Sequence, residues 1–283
     1  MKKRALTAIG DINLDMIIRY RKNGMEDSIE DYVLTCGGST LNSAIILANS
    51  GIEIDFYGNI GNNFPIRFSK ELERIFRKFI VKKTKKKNGL VVSLSGKEDR
   101  KLLSYRGGNS EEIIVPNEKT DLLLLSSYYF QEHDFPNWQD YKNRVLGIGD
   151  SNINLEPELL ERFDFIFMNE AHYERLKDLK VLKPKEVIVT LGSKGCLVIS
   201  NGKEYFQKQT EKIEPVDSTG AGDAFLAGYL YGRLINGLSI EESTKLGNKS
   251  GAIATSILGT GLLFKKKEFD LSKFVQLNKK ILQ

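Results

Sequence analysis

The chain has 283 residues, 41% of them hydrophobic and 28% charged, which suits a globular protein forming one large α/β domain or two small ones. The net charge is +5, and no apolar stretch approaches the length that crosses a bilayer. The basic start Met1-Lys2-Lys3-Arg4 is followed by Asp11 after only a few apolar residues, so neither a membrane span nor a secretion signal is expected. Cys36 and Cys196 lie far apart and read as free thiols of a reducing cytoplasm, and His133 and His172 alone cannot build a His-based zinc site.

In chain order, a first strand is expected over 5–9, running into Gly10-Asp11-Ile12-Asn13-Leu14-Asp15. Residues 16–35 alternate in short patterns, Met16 to Tyr20 and Asp31 to Leu34, which predicts small antiparallel strands rather than a helix. Gly37-Gly38 opens an apolar helix over 41–50, closed by Gly51. A strand over 54–57 and an amphipathic helix over 68–79 follow. The run Lys82-Lys83-Thr84-Lys85-Lys86-Lys87 carries no interleaved aromatics, so it reads as a solvated turn and not as a nucleic-acid site. Residues 89–106 alternate again around a turn at Gly96-Lys97-Glu98-Asp99. Beyond them, strands over 122–125, 145–148, 165–168 and 187–190 alternate with helical segments. That repeat predicts an α/β fold with a mostly parallel central sheet and helices on both faces. The alternating blocks, about 16–36 and 89–107, are too short to fold alone. They are expected to form one small β-sheet projecting from a single domain spanning 1–283.

Chemistry concentrates in Val216-Asp217-Ser218-Thr219-Gly220-Ala221-Gly222-Asp223-Ala224-Phe225. Small residues let the backbone approach a ligand, and the helix that follows aims its free N–H groups and positive dipole end at the same spot. The result is an anion hole with the Asp223 carboxylate at its rim, an arrangement suited to phosphoryl transfer onto a hydroxyl. Upstream, Asn13-Leu14-Asp15 after a strand, with Gly37 to Asn42, reads either as a hydroxyl reader, because carboxylates accept hydrogen bonds from sugar hydroxyls, or as a plain turn and a helix N-cap at Ser39 or Thr40. In Tyr105-Arg106-Gly107-Gly108-Asn109, Arg106 offers a planar fork for a carboxylate.

These segments resemble the ribokinase-like (PfkB) carbohydrate kinases, most closely at 216–225, less so at 10–15 and 37–51, and weakly between. The resemblance implies a ribokinase-like fold with a lid. It also implies ATP and Mg²⁺ as cofactors, with Asp223 as catalytic base and the amides of Gly220, Ala221 and Gly222 holding the transferred phosphoryl group. Asp15, Gly37, Gly38 and Asn42 would line the acceptor pocket, with Arg106 and Asn109 at the return from the lid. Thr190, Gly192 and Gly195, in Val187 to Cys196, would lie near ATP with Gly220 and Gly222; the bland reading of that stretch is a β-hairpin. Gly149-Asp150-Ser151-Asn152 resembles the family's Asp-x-Asn strand end.

Three departures matter. Ribokinases often carry Lys after Gly-Gly, where this chain has Ser39, and Gly-Gly-x-Thr-Leu-Asn looks more like 2-keto-3-deoxygluconate kinases. Met168-Asn169-Glu170-Ala171-His172 stands where the family has Asn-x-x-Glu, so only Asn169 carries over as a Mg²⁺ organiser through water, since Mg²⁺ prefers oxygen to His172. Many members bind K⁺ through the residues equivalent to Asp217 and Thr219 and a later loop, here 254–263, where Leu263 replaces an oxygen donor; weak K⁺ activation is expected. The implied activity is phosphorylation of a hydroxymethyl group on a small unphosphorylated sugar or sugar acid. The alternatives are a nucleoside kinase of the same family or a sugar-binding homologue without catalysis. No nucleic-acid or membrane partner is expected, and the protein is expected to be a cytoplasmic monomer or a homodimer closed through the lid.

Overall fold

The computed structural model describes residues 5–24, 26–95, 100–114, 120–130, 138–149, 160–176, 184–209 and 213–281. The turn expected at 96–99, His133 and the 150–152 strand end lie outside them. The large sheet is built from β1 (Ala5–Ile9), β4 (Glu53–Ile60), β5 (Lys78–Lys83), β8 (Leu122–Ser126), β9 (Asn143–Gly147), β10 (Phe165–Asn169), β11 (Glu186–Thr190), β12 (Gly195–Ser200) and β13 (Lys203–Lys208). Its order is β13-β12-β11-β10-β9-β8-β1-β4-β5, parallel from β11 to β5 and antiparallel at β12 and β13. The strands read as continuous apolar runs because both faces are covered: Leu122 and Leu124 enter one core, Leu123 and Leu125 the other. After β1 the chain builds outward through β4 and β5, then returns to β1's other side with β8. That reversal leaves a crevice at the carboxyl end of β1, the place where open α/β sheets bind ligands.

The second sheet has order β3-β2-β6-β7, from β2 (Asn13–Arg21), β3 (Ser28–Gly37), β6 (Gly89–Ser95) and β7 (Arg100–Tyr105), with β2 and β6 parallel. The two alternating blocks therefore do form one small sheet, as the pattern predicted. Its β2 begins three residues past β1, so the sheet rises from the edge of the crevice.

Four helices matter below: α1 (Ser39–Asn49), α2 (Ile66–Ile75), α4 (Ala221–Leu230) and α5 (Ile240–Thr255), with α3 the short Glu170–Leu176. α1 is buried from Thr40 to Leu47, which explains an apolar run without an amphipathic stripe. The helix expected over 68–79 is corrected: α2 ends at Ile75 and 78–83 is the edge strand β5. Phe76 and Phe79 satisfy helical spacing, but they leave the helix to stack on Phe56 of β4, with ring centroids 5.3 and 6.2 Å away. The stretch 187–196 is a hairpin, with β11 and β12 antiparallel.

Candidate active site

Asp223 sits in the first turn of α4, whose N-cap, Gly220, is left-handed at φ 78°. A side chain there would be strained, and its Cβ would also press on Phe264 at 3.0 Å and Thr260 at 3.1 Å. At Gly222 a Cβ would meet nothing within 4 Å, so the turn faces open space. The Ala221 N–H points at Ser218 O, 3.3 Å away, and the first-turn amides face the same side as the positive end of the helix dipole. Asp217 latches this turn. Its Oδ1 accepts from the Thr219 N–H at 3.0 Å and the Thr219 hydroxyl at 2.7 Å, and its Oδ2 accepts from the Gly259 N–H at 3.1 Å. The carboxylate expected to hold a monovalent ion is thus engaged in shaping the turn that opens α4.

Helix α1 supplies the partners of Asp223. The Ser39 hydroxyl donates to Oδ1 at 2.6 Å and the Asn42 side-chain amide donates to Oδ2 at 2.7 Å. Ser43 fixes the Asp223 carbonyl oxygen at 2.9 Å. α1 can reach because Gly38, at φ 133°, lies against the Asp11 carbonyl, where a Cβ would come within 2.2 Å. Sequence reading treated Ser39 as a missing lysine; its role here is a bond across 184 residues.

Asp15 lies beside this pair. It is 5% exposed, its Oδ2 accepts from the Thr260 hydroxyl at 2.7 Å, and its Oδ1 is buried without a hydrogen-bond partner, as is Asn42 Oδ1. Burial pushes the Asp15 carboxyl up to about 7, opposed by the Thr260 hydrogen bond and reinforced by the charges of Asp223 and Asp217. Gly37 passes so close that a Cβ would fall 2.1 Å from Asp15 Oδ2 and 3.0 Å from Asn42 Oδ1. Asp15, Gly37, Gly38, Asn42 and Asp223 are therefore brought together, as the motifs implied.

Arg106 does not stand open. It pairs with Asp11, itself 6% exposed, lies over the Tyr128 ring at 5.8 Å, and reaches the Tyr128 carbonyl at 3.4 Å. Asn109 is 3% exposed and clamps β2: its amide donates to Asn13 Oδ1 at 2.8 Å, while its Oδ1 accepts from the Ile12 N–H at 3.3 Å. The lysine run contributes its backbone, with Lys85, Lys86 and Lys87 carbonyls accepting from Asn62 and Gly108.

Thr190 and Gly192 stand at the carboxyl end of β11, with β10, β9 and β8 between them and β1. Thr190 donates to the Met168 carbonyl at 3.4 Å, and a Cβ at Gly192 would meet open space. Gly195 serves the pairing of β12 with β13, since a Cβ there would come within 2.1 Å of the Gln207 carbonyl. Helix α4 bridges the two ends of the crevice: Tyr229 meets Phe167 of β10 edge-on at 5.5 Å, and Leu226 packs over Gly147 of β9. Asp223 thereby stands at the start of a helix that packs over β9 and β10 and is hydrogen-bonded to α1.

Asn169 Oδ1 caps α3, accepting from the His172 N–H at 2.9 Å and facing its Nδ1 at 2.8 Å. Among the described residues no group of three or more His, Cys, Asp or Glu could hold a metal ion. A Mg²⁺ carried on the phosphates of a nucleotide, keeping most of its waters, fits such a donor-poor site; a dedicated protein cage does not.

The model of the pfkB family carbohydrate kinases matches residues 3–135 and 158–267. The ATP-dependent 6-phosphofructokinase of Thermoanaerobacterium thermosaccharolyticum is 27% identical, over 87% of this chain and 86% of that protein. A ribokinase of Lactococcus lactis is 26% identical over 85% and 87%. Among solved structures, the Burkholderia thailandensis nucleoside kinase in complex with inosine superposes with a TM-score of 0.80 at 17% identity, covering 96% of this chain and 98% of that one. The fold is ribokinase-like, and the chain belongs to the PfkB family of carbohydrate kinases.

Proposed function

We propose that the chain transfers the γ-phosphoryl group of ATP to a hydroxymethyl group of a small, unphosphorylated, neutral sugar. The observation that carries this reading is Asp223, held by Ser39 and Asn42 at the N-terminus of α4 and flanked by the buried Asp15. Asp223 is placed to take the acceptor proton while the first-turn amides stabilise the transferring phosphoryl oxygens. The unpartnered Asp15 Oδ1 and Asn42 Oδ1 call for donors, which sugar hydroxyls supply. Positioning and charge stabilisation dominate such a transfer, and Mg²⁺ on the ATP phosphates supplies charge neutralisation. The small sheet is read as a lid over the crevice, excluding water from the transfer. Buried free Cys36 and Cys196 fit a cytoplasmic enzyme. Tyr32, Leu34, Leu103 and Tyr105 line the outer face of the lid, and any homodimer is expected to close there.

The ion pair of Arg106 with Asp11 weighs against the sugar acid. A guanidinium already compensated by a buried carboxylate has little charge left for an anionic acceptor. In a panel of neutral sugars, sugar acids, sugar phosphates and nucleosides with ATP and Mg²⁺, a neutral sugar should give the highest kcat/KM. Asp11→Asn should then raise the sugar-acid to neutral-sugar kcat/KM ratio about tenfold by releasing the Arg106 charge. A wild-type preference for an acid or phosphate, or a ratio that does not move, would count against this pocket. The second reading is a nucleoside acceptor, favoured by the nucleoside kinase superposition; a nucleoside heading the panel would establish it.

Monovalent activation should be weak, because both Asp217 oxygens are hydrogen-bonded and Leu263 brings no side-chain oxygen. Rates in K⁺ and in a bulky organic cation at matched ionic strength should agree within about threefold. A large K⁺-specific gain would show that the Asp217 latch opens to an ion.

A further inference from the structure

We propose that Thr260 is a positioning residue for the acceptor site, its hydroxyl holding the Asp15 carboxylate, its methyl packed toward the Gly220 turn and its carbonyl tied to the lid strand; the inference rests on the acceptor reading above. Thr260 is fully buried and occupies a junction of three parts of the molecule. Its hydroxyl donates to Asp15 Oδ2 at 2.7 Å. Its carbonyl accepts from the Thr35 hydroxyl of the lid strand β3 at 3.3 Å. Its methyl lies 3.1 Å from where a Cβ on Gly220 would be, and the preceding Gly259 N–H donates to Asp217 at 3.1 Å. One residue therefore touches the lid, the acceptor carboxylate and the cap of the anion hole.

The chemical consequence falls on Asp15. Acceptor hydroxyls donate to a carboxylate, so the ionised form binds. Ionisation is opposed by burial and by the charges of Asp223 on α4 and Asp217 in the phosphate turn; the Cys36 thiol on β3 also senses Asp15 and is itself pushed up by burial. The Thr260 hydrogen bond is the favourable contribution, because donation to a carboxylate stabilises its charge. With the Asp15 carboxyl at about 7, acceptor kcat/KM should fall as pH drops through neutrality. Losing the hydroxyl moves Asp15 ionisation upward, so that fall begins at a higher pH.

The test uses Thr260→Val, which keeps the methyl facing Gly220, and Thr260→Ser, which keeps the donor. Thr260→Ala carries the same test if the valine variant does not fold. Thr260→Val should raise acceptor KM about tenfold while kcat and ATP KM stay within about threefold, and should move the acid limb of kcat/KM upward. Thr260→Ser should restore both. Unchanged acceptor KM and acid limb in folded Thr260→Val, an equal loss in kcat and both KM values, or failure of the serine to rescue would each overturn the assignment. A readout without substrate separates this from the acceptor reading. The Asp15 carboxyl is followed by ¹³C NMR in Asp-labelled protein, assigned with Asp15→Asn. Its midpoint should be higher in Thr260→Val than in wild type, even if no acceptor in the panel turns over; an unchanged midpoint sinks the proposal on its own.

Discussion

Asp223→Asn is expected to lower kcat about a hundredfold or more while leaving the fold and ATP affinity nearly intact. The substitution is isosteric and keeps one oxygen to accept from Ser39, whose hydroxyl already lies 2.6 Å away. The new amide faces the Asn42 donor that now sits 2.7 Å from Oδ2, so one hydrogen bond is lost and a modest decrease in stability should accompany the kinetic effect. The proton acceptor is gone, and the two side chains that hold it, Ser39 and Asn42, are donors to this carboxylate. A second signature should appear. The charge of Asp223 helps to hold Asp15 protonated, so its removal should let Asp15 ionise at lower pH and move the acid limb of the residual kcat/KM downward. Steady-state kinetics against pH, with a thermal melt to establish folding, measures all of this. Near-wild-type turnover in a folded Asp223→Asn protein would remove the base assignment.

Those two signatures depend on contacts of different visibility in the sequence. The turn 216–225 was legible because it is local: acid, small residues, acid and helix stand in one stretch, and backbone geometry follows from neighbours. The parallel sheet was legible for a similar reason, since doubly covered strands such as Leu122 to Leu125 have no polar face. The partners of the site were not legible. Ser39 meets Asp223 across 184 residues and Thr260 meets Asp15 across 245, and nothing in either local pattern marks the meeting. Ser39 drew notice as a departure from lysine and as an N-cap candidate, not as a partner of Asp223. Arg106 was read as a cation for a substrate because the sequence does not show that Asp11 folds against it. Strand β5 was lost to helix α2 because Phe76 and Phe79 fit a helical stripe, and only packing on Phe56 decides otherwise. Asn169, singled out for metal chemistry, has a local contact that its motif does not announce: its oxygen caps a helix and meets His172.

Gly37→Ala should be nearly as damaging as loss of the base, and for a purely steric reason. The added methyl would fall 2.1 Å from Asp15 Oδ2, 2.7 Å from the Thr260 hydroxyl oxygen and 3.0 Å from Asn42 Oδ1. At the first two distances something must move, and neither atom belongs to a flexible side chain: Asp15 and Thr260 are both buried and bonded to each other. Relief requires opening that hydrogen bond or displacing β3 from its register with β2, where Gly37 lies opposite Asn13. Either response shifts the acceptor carboxylate relative to Asp223, and a displacement of about 1 Å can cost about a hundredfold in such transfers. Acceptor kcat/KM should therefore fall about a hundredfold, while ATP KM changes by less than about threefold, since the atoms the methyl would meet first belong to Asp15, Thr260 and Asn42 and not to the nucleotide candidates Thr190, Gly192 and Gly195. The melting temperature should drop as well, through strain in a close-packed site. Parallel kinetics on acceptor and ATP, with the melt, decide the matter. If Gly37→Ala binds and phosphorylates the acceptor as wild type does, the acceptor pocket lies elsewhere than around Asp15, Gly37 and Asn42.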